Sequence, residues 1–139
     1  MELSTLNRRI PDGVKVDGKS FRILVVDDSK FVIKQLSQIL NSEEYEICGT
    51  AENGQLAFDA YQELRPDLMT LDITMPILDG LQTLEKVLAY DPKAKVVMVS
   101  ALGKEETVKQ ALLAGAKSFI VKPFDRATVL ERLKKTIGV

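Results

Sequence analysis

From residue 21 onward, short and nearly continuous apolar runs alternate with longer stretches in which apolar residues return every three or four positions. The runs FRILVV (21–26), YEICGT (45–50), DLMTLD (67–72), KVVMVS (95–100) and KSFIV (117–121) show little polar alternation. That is the pattern of parallel strands covered on both faces. Between them, Val32, Ile33, Leu36, Ile39 and Leu40 form one helical stripe, and Ala57, Ala60, Tyr61 and Leu64 a second. Leu81, Leu84, Val87 and Leu88 repeat it, as do Val108, Ala111 and Leu112, and then Val129, Leu130, Leu133 and Ile137. The stop signals agree: Pro66 and Pro92 follow two of the helices, Gly115 stands where a C′ glycine belongs, and Asp125 can cap the last helix.

Five βα units in succession build an α/β fold, a single doubly wound parallel sheet with helices on both faces and right-handed crossovers. In open sheets of this kind the binding crevice lies beyond the carboxyl ends of the strands, where the strand order reverses. Functional residues are therefore expected at the strand C-termini. Residues 1–20 fall outside the repeat. VKVDGKSF has the look of a hairpin around Asp17-Gly18, but an internal first strand would have both edges occupied. The expectation is a loosely packed arm over 1–20 with a turn at Asp17-Gly18, followed by one domain over 21–139.

Composition narrows the chemistry. The 139 residues suit one domain, and 19 Lys plus Arg against 20 Asp plus Glu give a net charge of −1. No general attraction to nucleic acid or anionic membrane follows. The single cysteine, Cys48, lies within an apolar segment and reads as a core residue of a protein kept in a reducing compartment. Histidine is absent, which removes Ser-His-Asp and Cys-His nucleophile systems, His-ligated zinc and any role as a phosphohistidine carrier. MELSTLNRRIPDG has no apolar h-region and no apolar run approaches about 18 residues. A soluble cytoplasmic protein is expected.

The carboxyl ends of the candidate strands carry Asp27 and Asp28, Asp72, Ser100 and Lys122. Taken singly, each has a plainer role: Asp28 or Ser29 as a helix cap, Asp72 as a loop start, Ser100 in a turn, Lys122 as a solvated charge. A parallel sheet delivers all of them to one edge, however, and crowded like charges are unfavourable unless something offsets them. Three Asp and one Lys sum formally to −2, which one divalent cation would cancel. With hard oxygen donors and no His or Cys available, Mg²⁺ fits best, with Mn²⁺ or Ca²⁺ as options. Because Mg²⁺ leaves positions for water and phosphate, the set points to phosphoryl chemistry. Asp72, central in the sheet, is the natural nucleophile. A cation on Asp27 and Asp28 and the Lys122 ammonium would flank the phosphoryl group, and Ser100 would donate to a further oxygen.

With these residues assembled, the chain resembles the receiver domain of two-component response regulators over about residues 21–138. LVVDDS, LDITMPILDG, VSALG and AGAKSFIVKPF carry the likeness, in this order and at these spacings. The resemblance implies a flavodoxin-like fold with strand order 2-1-3-4-5 and phosphorylation of Asp72 by a histidine kinase. It also implies Mg²⁺ held by the Asp28 and Asp72 side chains and the Thr74 backbone carbonyl, with Asp27 acting largely through water. Ser100 and Lys122 match the family's hydroxyl and lysine positions, Phe119 its aromatic switch, and Lys122-Pro123 its cis peptide. Thr74 and Leu102, two residues beyond Asp72 and Ser100, match positions that tune how fast water reaches the phosphoaspartate.

Within the family, the DITMP, SALG and FIVKPF wording is most similar to chemotaxis regulators of spirochetes and thermophilic bacteria. That likeness implies a CheA-like histidine kinase and a flagellar motor switch protein as partners, with room for a phosphatase. It further implies a monomeric phosphoacceptor that assists its own phosphorylation and dephosphorylation rather than an enzyme, with no nucleic-acid or membrane partner. On phosphorylation, Ser100 would be drawn toward the phosphoryl group and Phe119 would fill the space vacated, changing the surface of the fourth helix, fifth strand and fifth helix. Phe119 departs from the tyrosine often found there by lacking a hydroxyl, and the arm is an addition.

Three rivals share the fold class or the chemistry. A haloacid-dehalogenase-type phosphatase needs a second carboxylate two residues after its nucleophile, where this chain has Thr74. A flavodoxin needs a phosphate-cradling first loop, which Asp27 and Asp28 would repel. A pseudo-receiver is at odds with the complete set of site residues. The alternative of weight is a stand-alone receiver in a phosphorelay or another two-component pathway.

Overall fold

A computed structural model describes residues 9–138. Five strands and five helices alternate: β1 (Arg22–Val26), α1 (Lys30–Asn41), β2 (Glu46–Ala51), α2 (Gly54–Leu64), β3 (Leu68–Asp72), α3 (Gly80–Tyr90), β4 (Val96–Ala101), α4 (Glu105–Ala114), β5 (Ser118–Lys122) and α5 (Arg126–Ile137). The sheet is wholly parallel in the order β2-β1-β3-β4-β5, the flavodoxin-like arrangement expected. Every strand begins one residue later than the apolar runs suggest. At the far end Ala101 and Lys122 are still paired, so Ser100 and Lys122 lie within strands rather than beyond them.

Alternation along the strands divides the core. Ile23, Val25, Val97, Val99 and Ile120 face α1 and α5 through Leu36, Leu40, Val129 and Leu133. Leu24, Val26, Met69, Leu71, Val96 and Met98 face α2, α3 and α4 through Ala57, Tyr61, Leu84, Val87 and Ala111. Every residue of β3 is buried, because it is central in the sheet and covered on both faces.

Local chemistry sets the helix ends. Ser29, rather than Asp28, caps α1 by accepting from the Val32 N–H, and Asn53 caps α2. Asp79 and Gln82 form a reciprocal capping box on α3, and Asp125 caps α5 as expected. Gly115 ends α4 with φ +123°.

The segment before β1 is packed more tightly than a loose arm. Residues 1–8 of the expected arm lie outside the described residues. Val14 and Ser20 make one antiparallel bridge around a turn in which the Gly18 N–H donates to the Lys15 carbonyl, with Gly18 at φ +86°. Pairing stops there because both edges of β1 are taken by β2 and β3. Gly13 donates to the Glu43 carbonyl, and a Cβ at Gly13 would collide with the backbone of Glu43 to Tyr45. Glu43 itself is a buried carboxylate. The Arg9 guanidinium donates to both of its oxygens at 2.7 Å, the Asp12 N–H at 2.8 Å and Arg126 of α5 at 3.1 Å. These donors, Arg9 above all, hold Glu43 down at a pKa of about 2.

Candidate functional site

The carboxyl edge of the sheet gathers the acidic residues that the sequence placed at strand ends. Asp27 follows β1 directly and is fully buried; its Oδ1 accepts from the Ser29 N–H at 2.9 Å. Asp72 ends β3 and is 5% exposed; its Oδ1 accepts from the Thr74 N–H at 3.3 Å. Asp28 projects from the same loop as Asp27 and is exposed. Each of the three offers a carboxylate oxygen, and these oxygens all lie within 4.8 Å of one another.

Lys122, the last residue of β5, reaches back across the edge. Its Nζ stands 3.0 Å from Asp27 Oδ2 and 3.5 Å from Asp72 Oδ2. The contact with Asp27 Oδ2 is an ion pair rather than a well-directed hydrogen bond, leaving that buried oxygen capacity for another positive partner. Burial works against the ammonium, but the two carboxylates more than offset it and raise its pKa. Burial first, and the Asp27 charge second, push Asp72 up to about 7 against the pull of Lys122. One ammonium does not balance three carboxylates. The donor set, all hard oxygens in a tight and under-neutralised group, fits a divalent cation of the Mg²⁺ type.

The backbone holds Asp72 in place. The β3–α3 loop leaves the strand at Ile73 and returns at once: the Gly80 N–H donates to the Ile73 carbonyl at 2.7 Å. A Cβ at Gly80 would collide with the Asp72 carbonyl oxygen, so only glycine lets α3 start this close against the end of β3. The Lys122-Pro123 peptide is cis, as expected.

The remaining candidates surround this centre. Val99 is the register partner of Asp72, so Ser100, buried, stands one residue further along β4. Thr74 and Leu102 are exposed on the loops after β3 and β4. Phe119 is half-buried. It lines a groove of about 280 Å³ between the last two strands and α4, together with Ser100, Leu102, Val108, Leu112 and Val121. The Arg132 guanidinium lies 5.4 Å from its ring centroid. Ser100, one residue beyond the register partner of Asp72, therefore also lines the aromatic groove.

Two features escape sequence reasoning. Glu43 is joined to residues 31 and 83 positions away, and no local pattern marks such a pairing. The other is the positive φ of +70° at Ile77, of which the sequence leaves only a faint trace: Ile77 follows a proline and precedes Leu78-Asp79-Gly80, a stretch with the composition of a tight loop.

The response regulator receiver domain model matches residues 23–134. The chemotaxis protein CheY of Treponema pallidum (strain Nichols) is 54% identical over 138 residues, covering 98% of this chain and 96% of that protein. CheY of Thermotoga maritima is 44% identical, covering 82% and 95%. Among solved structures, a chain of the CheX-CheY-BeF3-Mg²⁺ complex from Borrelia burgdorferi superposes with a TM-score of 0.88 at 48% identity, covering 91% of this chain and 97% of that one. Sheet order, acidic edge and these likenesses agree, and the chain belongs to the response regulator receiver domain family, on its CheY-like side.

Proposed function

We propose that Asp72 accepts a phosphoryl group from a phosphohistidine on a CheA-like kinase, and that the modified protein signals to the flagellar motor switch in chemotaxis. The observation that carries the chemistry is the arrangement around Asp72: a buried carboxylate at a central strand end, 3.5 Å from an ammonium and grouped with two further carboxylates. In the transfer, an Asp72 carboxylate oxygen forms the new P–O bond as the P–N bond to the donor imidazole breaks, and the ring leaves as neutral imidazole after taking a proton. The reaction needs Asp72 ionised, and Lys122 favours that form. Lys122 also offers positive charge to the phosphoryl oxygens, and the Ser100 hydroxyl donates to one of them. Mg²⁺, when bound, supplies charge neutralisation for the phosphoryl oxygens. Asp28, Asp72 and the Thr74 backbone carbonyl would hold it, with Asp27 assisting through water.

The readout runs from Ser100 to Phe119. A phosphoryl group on Asp72 draws the Ser100 hydroxyl toward it, and the groove shared by Ser100 and Phe119 gives the ring somewhere to go. The surface of α4, β5 and α5 changes as a result. Exposed Leu102 and Thr74 flank the approach of water and set how long the adduct lasts. The chain acts as a signalling phosphoacceptor that assists its own phosphorylation and dephosphorylation. Its place of work is the cytoplasm, in keeping with a single unpaired cysteine. The names of its relatives favour chemotaxis over a general phosphorelay, and the CheX-CheY neighbour favours a further protein partner of the CheX kind.

The test is intact mass after incubation with acetyl phosphate, with and without Mg²⁺, for the wild type and Asp72→Asn. A single Mg²⁺-dependent, base-labile phosphoryl adduct is expected on the wild type and none on the variant. No adduct, together with no response to beryllium fluoride, would overturn the reading.

A further inference from the structure

The loop that leaves the acceptor strand carries a backbone conformation its residue disfavours. The Leu78 N–H donates to the Pro76 carbonyl at 2.8 Å, closing a three-residue turn centred on Ile77, and Ile77 has φ +70°. The positive φ makes this the rarer, strained form of the γ-turn, and a β-branched residue there is an outlier. No buried packing compensates, because the Ile77 side chain is 76% exposed. Both ends of the loop are pinned: Gly80 is bonded to Ile73 and packed on the Asp72 carbonyl. The strain therefore holds one large apolar side chain out in solvent, five residues from Asp72 and on the edge that carries it.

From this placement we infer that Ile77 is a positioning residue for the protein that delivers phosphoryl groups to Asp72, an apolar anchor against which the phosphohistidine-bearing surface seats. The inference rests on the receiver reading above. The occupant follows from access. Asp72 is 5% exposed at the floor of the edge, so a histidine on a folded donor reaches it only by bringing its surroundings against the loop tips. Ile77 is such a tip, and Leu102 (72% exposed) and Phe31 (75% exposed) stand on the loop and helix start of neighbouring units at the same edge. A small donor needs none of these contacts.

The experiment compares Ile77→Asn and Ile77→Val with the wild type, using acetyl phosphate and the prephosphorylated phosphotransfer domain of a CheA-type kinase as donors. For Ile77→Asn, we expect KM for the protein donor to rise about five-fold or more with kcat within about two-fold, as loss of an apolar anchor predicts. Labelling by acetyl phosphate stays within about two-fold, and the melting temperature does not fall, since Asn tolerates positive φ better than Ile. Ile77→Val, which keeps the apolar branch, restores the wild-type KM. An unchanged KM for the protein donor in Ile77→Asn overturns the inference, as does an equal loss with acetyl phosphate, which would make Ile77 a support of the site itself. If the wild type takes a phosphoryl group from neither donor, the receiver reading fails and this inference fails with it.

Discussion

At residue scale, Asp72 stands in a field of opposing influences, and its protonation links site to stability. Its pKa in the fold, about 7, lies above the ordinary 3.8 because burial and Asp27 disfavour its charge. Ionising it therefore opposes folding. The penalty is absent below about pH 4 and grows as the pH rises through about 7. In metal-free buffer with EDTA, Asp72→Asn is expected to melt above the wild type at pH 8, by roughly 3–5 °C for each kcal/mol of relief. The difference should shrink toward pH 4. Thermal scans at the two pH values check this, and a variant melting below the wild type at pH 8 would contradict it.

The gathering of the candidate residues at one sheet edge was legible in the sequence because they sit at strand ends, and strand ends follow from local period. Asp27, Asp28, Asp72, Ser100 and Lys122 could all be named from the pattern alone. Their distances could not. That Lys122 pairs more closely with Asp27 than with Asp72 depends on strand order and twist, which place β5 two strands from β3.

At the scale of elements, the Glu43 cluster ties the chain before β1 to the α1–β2 corner and to the start of α5. The carboxylate accepts from Arg9, Arg126 and a backbone N–H, so removing its charge leaves several donors poorly paired. Glu43→Gln is expected to destabilise the fold by about 2 kcal/mol, measured by urea unfolding at pH 7. The sign with pH follows from the lowered pKa. The stabilisation is fully present above about pH 4.5 and is lost as the pH falls through about 2. The variant should thus show a shallower acid-induced loss of stability over that window than the wild type. This is also where sequence reasoning fell short. It foresaw the Asp17-Gly18 turn but not the clamp, because hydrophobic period carries no information about which buried carboxylate meets which guanidinium.

At the scale of the whole molecule, the acidic edge is a charge imbalance built into the fold and should respond to a counter-ion. A cation that binds only the folded state stabilises it by mass action, about 2.7 kcal/mol at a concentration of 100 Kd. Mg²⁺ titrated into the protein is expected to raise the melting temperature in a saturable way. Asp28 is exposed and makes no structural cap, so Asp28→Asn should leave the metal-free melting temperature nearly unchanged while removing most of the Mg²⁺-dependent rise. A full rise in the variant would place the cation elsewhere.

The sequence by itself determined which segments became strands and helices, and therefore which polar residues reached the carboxyl edge. Apolar period, caps and breakers act between neighbours along the chain, so a linear reading captures them. Only the tertiary structure decided what depends on residues far apart in sequence: the spacing of the three carboxylates, the groove that Ser100 shares with Phe119, the Glu43 clamp and the strained turn at Ile77. Those features arise when separate elements pack at fixed distances. No local propensity encodes such a distance, since it is set by the sum of side-chain volumes and hydrogen bonds across the whole core.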